Sequence, residues 1–113
     1  MAIGSEATPA DNTLVWYLQR STTVGVGTSV TPQNLGPGTV ASTATALEIL
    51  TTEPTFTANA ILWRLGLNQR AAHSLVFDPE GCPTCPAAAN GIGLYPVHAS
   101  ATPLVSATIY FRE

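Results

Sequence analysis

The chain has 113 residues with four Arg, no Lys and seven acidic residues, so only 10% of it is charged and its net charge is −3; soluble domains ordinarily carry about 25% charged residues. This length suits one domain with one modest core and excludes a two-lobed enzyme with a cleft between domains. Arg20, Arg64, Arg70 and Arg112 stand singly, with no basic stripe to neutralise phosphates, and no apolar run approaches the ~20 residues of a membrane-spanning helix, so neither nucleic acid nor a membrane is an expected partner.

Residues 1–12 are small, polar and Pro-containing, without periodicity. They read as an extended N-terminal arm, with 13–113 as a single β domain. The segment Met1 to Pro9 has neither the positive n-region nor the apolar h-region of a secretory signal, so no signal is expected and Met1 reads as the natural start. Leu14 to Gln19 is β-branched, aromatic and aliphatic and predicts a strand buried on at least one face.

Residues 25–38 are rich in breakers and end in Gly36-Pro37-Gly38, which predicts a long loop with at most a short strand inside it. From Thr39 to Thr52 the alternation of Thr, Ala, Leu and Ile favours strand, with a short helix over 44–50 as the alternative. Thr55 to Leu67 reads as a strand with Ile61, Trp63, Leu65 and Leu67 on one face. The competing reading is a helix capped by Thr57 and ended by Gly66.

Ser74 to Phe77 predicts another strand, closed by Asp78-Pro-Glu-Gly81, whose residue types suit a type I turn. A loop over 82–91 follows, then two strands over 92–99 and 103–112. In the latter, Val105, Ala107, Ile109 and Phe111 alternate with Leu104, Ser106, Thr108 and Tyr110. The expected fold is therefore all-β: a single-domain antiparallel sandwich or small barrel of about six to seven short strands, with long Gly/Pro loops and an extended N-terminal arm.

Cys82-Pro-Thr-Cys85 is the motif with the most chemistry in it, and it resembles both half of a zinc ribbon and the redox motif of glutaredoxin-type proteins. As a zinc site it would take Cys82, Cys85, His73 and His98 as tetrahedral ligands. Against this, Pro86 lacks the backbone N–H that zinc knuckles use after their second Cys. The redox reading needs a helix after the motif, and Ala87 to Ala89 is too short to form one. The plainest reading is a loop with a local disulfide or two free thiols, so no cofactor is expected, zinc being the one these residues could suit.

His73 and His98 each stand alone in sequence, Asp78 is explained by its turn, and the Gly-x-Gly pairs at 25–27 and 91–93 lack the rest of a phosphate loop. No enzyme is expected. Trp16, Tyr17, Trp63 and Tyr95 could form a platform for stacking on sugars, but all four lie inside apolar strand patterns, which favours core or interface packing.

Low charge, abundant Thr and Ala, a polar arm and an apolar last strand describe a chain whose surface is covered by neighbours, since little net charge promotes association. In composition the chain is similar to small bacteriophage virion proteins with an unprocessed Met, a polar arm and a β body. The resemblance implies a non-enzymatic structural subunit for capsid decoration or stabilisation, or for a tail, located in a virion or other extracellular assembly. Its partners would be copies of itself, as a homo-oligomer, or a larger protein shell. Trp16, Tyr17, Val105, Ile109 and Phe111 are the candidate interface residues. The alternatives are a β-sandwich module binding carbohydrate or protein, and a small metal or redox protein built on Cys82 and Cys85.

Overall fold

Every regular element among the described residues is a β-strand, and every pairing is antiparallel. The computed structural model describes residues 1–5, 10–33, 41–85, 90–97 and 105–111. The strands form two three-stranded sheets and one two-stranded ribbon.

The organising strand is β2 (Thr13–Ser21), which lies between β5 (Phe56–Asn68) and β7 (Gly91–Val97). Its alternation buries Leu14, Trp16 and Leu18 on one face. These sit opposite Leu67, Leu65 and Trp63 of β5, while Pro96 and Leu94 of β7 face Trp16 and Leu18. That register decides the ambiguous segment 55–67 for strand, because a helix could not offer Trp63, Leu65 and Leu67 in succession to one neighbour. Pro96, which has no N–H to donate, is tolerated because β7 is an edge strand.

The second sheet has the order β6-β1-β8, with β1 (Ala2–Ser5) between β6 (His73–Ser74) and β8 (Val105–Thr108). Of the residues expected as an arm, 1–5 and 10–12 are described, and these are held by contacts with the rest of the chain. Ala2 and Ile3 pair with both neighbouring strands. The Met1 ammonium donates to the Leu75 carbonyl, and the Leu75 N–H donates back to the Met1 carbonyl, each at 2.9 Å. Further along, the Ala10 N–H donates to Gln69 Oε1 at 3.0 Å and Asn68 Nδ2 donates to Asp11 Oδ1 at 2.7 Å.

The core lies where these two sheets meet. Ile3 from one sheet and Leu14 and Trp16 from the other are buried together, with Trp63, Leu65, Leu67, Leu94 and Val105 packed around them. A crevice beside Gly4, Leu14, Trp16 and Val105 has room for no more than about one water molecule.

The ribbon pairs β3 (Val26–Val30) with β4 (Ala46–Thr52). The segment expected as a long loop thus holds a real strand, and the helical alternative over 44–50 does not form. The expected strand over 74–77 contracts to His73–Ser74, and of the strand expected over 103–112 the described residues 105–111 form strand over Val105–Thr108. The turn at Asp78 forms as its residues predict, with the Gly81 N–H donating to the Asp78 carbonyl at 2.9 Å. Gly36-Pro37-Gly38, Pro86 to Ala89 and His98 lie outside the described residues.

Candidate functional site

Turning Leu14, Trp16 and Leu18 into the core presents Val15, Tyr17 and Gln19 on the other face of the central sheet. There Tyr17 lies opposite Tyr95 on one side and Arg64 on the other. The two tyrosine rings stack at 5.7 Å, Phe56 stacks on Tyr95 at 4.5 Å, and the Arg64 guanidinium lies 5.6 Å from the centre of the Tyr17 ring. Gly93 makes room for this column, since a Cβ there would stand 2.7 Å from the Phe56 ring.

A polar chain runs beneath the rings. The Tyr95 hydroxyl donates to Gln19 Oε1 at 2.6 Å, and Gln19 Nε2 donates to the Thr57 carbonyl at 2.8 Å. Gln19 is only 8% exposed, so both ends of its amide require the partners they have. Burial pushes the Tyr95 hydroxyl above its ordinary pKa, and the negative charges of ionised Tyr17 and of Glu53 add to the effect. This cluster is a satisfied structural unit. Of the four aromatics considered as a sugar platform, Trp16 is enclosed in the core, Trp63 stacks on His73 at 5.8 Å, and Tyr17 and Tyr95 stack on each other.

The residues of the zinc reading are distributed as follows. Cys82 and Cys85 are free and exposed, on the loop between β6 and β7. The Arg20 guanidinium donates to the carbonyl of Thr84 between them, tying the loop to β2. His73 pairs with Ile3 in β6 and lies against Trp63. His98 is not described, and among the described residues no three of His, Cys, Asp or Glu gather as a metal would need.

The expected interface residues also separate. Trp16 is enclosed by the chain's own core and has no surface to offer a neighbour, and Val105 packs against the same core. Tyr17 is half-buried in the aromatic column. Ile109 and Phe111 lie beyond the end of β8 and are exposed.

Five of the eleven exposed large hydrophobics among the described residues lie at the ribbon. Val24, Val26 and Val30 on the β3 side and Ile49 and Leu50 on β4 are all exposed, Ile49 by 78%. The pairing slips between Val26 and Thr28, where β4 advances from Thr52 to Glu48. This bulge places Ile49 at φ 46°, a conformation that β-branched residues rarely adopt. Gly27 lies against it, and a Cβ there would stand 2.6 Å from the Glu48 carbonyl oxygen.

Comparison with protein-family models, curated proteins and solved structures finds no match. The crevice beside Gly4 and Trp16 holds no more than about one water molecule, whereas the surface of the described residues offers apolar side chains and strand edges. No helix among those residues is long and apolar enough to cross a membrane. Sequence reasoning allowed a short strand within 25–38 and favoured strand over 39–52, but it did not pair them, because Gly25, Gly27 and Pro32 mark loops as readily as edge strands. It missed Gln19 because nothing local marks a glutamine for burial.

Proposed function

We propose that the protein is a non-enzymatic structural subunit that works by associating with copies of itself, in a capsid-decoration or tail role within a larger assembly. In this reading the two three-stranded sheets are the layers of a small sandwich, and virion proteins of bacteriophages are the class it is similar to in composition. The observation that carries the reading is an inversion of burial. Among the described residues four hydrophobic side chains are buried, while eleven large ones are exposed. Apolar surface left in water costs about 25 cal/mol per Å², and exposed apolar patches larger than a few hundred Å² mark interaction sites.

The scarcity of charge points the same way. With no Lys and four Arg in 113 residues, little at the surface opposes close approach of a second copy. The test is the native mass of the intact chain, by light scattering and native mass spectrometry across a dilution series. A defined oligomer or a large particle is expected, and a monomer at every concentration would overturn the reading.

A further inference from the structure

The described sheets leave six strand edges, and five of them carry a feature that discourages pairing with another chain. Pro96 interrupts β7, β5 carries Arg64 and the left-handed Asn59 at φ 59°, and β4 carries Glu48 and the left-handed Ile49. The remaining two are short, β6 having two residues and β8 four. Only β3 is a five-residue edge without charge, without Pro and without a residue in the left-handed region.

We propose that β3 is the edge through which the chain pairs with a second copy of itself, antiparallel about a two-fold axis at Thr28. This proposal rests on the self-association reading and assigns it a contact. The strand reads Val-Gly-Thr-Ser-Val, which is close to the same in both directions. Antiparallel pairing centred on Thr28 sets Val26 of one copy opposite Val30 of the other, Gly27 opposite Ser29, and Thr28 opposite itself. Val and Thr pairs of this kind are favourable cross-strand neighbours, and each backbone group on the open edge gains a partner.

Val26, Thr28 and Val30 share one face of the strand by its two-residue period. All three are exposed, Val26 by 61% and Val30 by 39%, so the pairing covers apolar surface that the chain itself leaves bare. Charge permits it as well. Glu48 is the one charged residue in the ribbon and lies on β4, opposite Thr28. In a joined sheet of order β4-β3-β3-β4 the two Glu48 residues stand three strand spacings apart, about 14 Å. That exceeds the screening length of about 8 Å at physiological salt. An isologous contact of this form closes on itself and needs no other sequence.

The experiment compares the native mass of the wild-type chain with Thr28→Lys, Thr28→Glu and their equimolar mixture at low salt. Like charges meet at the axis in either single variant, so dissociation of the β3 contact is expected at a concentration at least about tenfold above the wild-type midpoint. The mixture should restore it. Far-UV circular dichroism reports whether each variant keeps its sheets.

Cross-linking reads the register independently, in a Cys82→Ser/Cys85→Ser background oxidised with glutathione disulfide. Thr28→Cys should form a covalent pair and Val26→Cys should not, whereas Val26→Cys mixed with Val30→Cys should. A monomeric wild type would overturn both the functional reading and this contact. An oligomer that survives Thr28→Lys and gives no cross-link through Thr28→Cys would overturn the contact alone.

Discussion

The Tyr95 hydroxyl donates a 2.6 Å hydrogen bond to the side-chain oxygen of Gln19, joining two residues 76 positions apart in sequence. Gln19 is the middle of this chain of bonds, since its amide nitrogen continues to the Thr57 carbonyl. The bond therefore ties the edge strand β7 through β2 to the bulged start of β5.

Tyr95→Phe keeps the ring stack with Tyr17 and Phe56 but leaves the buried Gln19 oxygen without its donor. An unsatisfied buried acceptor costs about 1–3 kcal/mol, and urea unfolding should show a loss of that size with an unchanged slope. Replacing both members, as Gln19→Met with Tyr95→Phe, should cost less than the sum of the two single changes. Additive losses would mean that the bond contributes nothing of its own.

Alkaline pH should act on the same residue. Burial raises the Tyr95 pKa in the fold, whereas the unfolded chain releases that proton near pH 10. Above about pH 10 the unfolded state then holds fewer protons than the folded state, so stability falls as pH rises through the folded value. Below pH 10 Tyr95 adds no slope. Urea midpoints between pH 9 and 11 should decline in the wild type and decline less in Tyr95→Phe.

Gly93→Ala places a methyl group 2.7 Å from the Phe56 ring, which is itself held against Tyr95 at 4.5 Å. Overpacking of this kind costs about 1–3 kcal/mol. The accompanying substitution Phe56→Leu should recover part of the loss by vacating the space, and thermal unfolding of the single and double variants checks this.

The elements that could be read from sequence are those whose own period carries the signal. Leu14, Trp16 and Leu18 announce β2, and Ile61 to Leu67 announce most of β5. By contrast, β1 is Ala-Ile-Gly-Ser, and its single large apolar residue offers no alternation to recognise. It becomes a strand only because β6 and β8, some 70 and 100 positions away, bring edges to both of its sides. The all-β class followed from local pattern, while the order of strands, the partner of Gln19 and the ribbon all depend on contacts distant in sequence. Ile109 to Phe111 continue the alternation of β8 on paper, yet Ala2 at the end of β1 has already met Thr108, so the pairing stops there.

The position of β1 makes a direct prediction for the N-terminus. Ile3 is buried at the junction of the two sheets, and Ile3→Ala removes side-chain volume that its neighbours cannot all replace. A loss of about 2–5 kcal/mol is expected. Deleting residues 1–5 should go further and separate β6 from β8, with loss of cooperative unfolding. A truncated chain that unfolds like the full one would show that this strand contributes little to the core.

Ile49 offers a gain in stability. It holds φ at 46° inside the β4 bulge, where its branched Cβ crowds the backbone, and its side chain is 78% exposed. Ile49→Asn therefore removes strain while giving up almost no burial, because asparagine enters the left-handed region far more readily. The expected gain is about 1 kcal/mol in urea unfolding. Ile49→Val keeps the branch at Cβ, and so keeps the strain; it should give no such gain. Equal behaviour of the two variants would place the effect in lost exposed apolar surface rather than in the backbone.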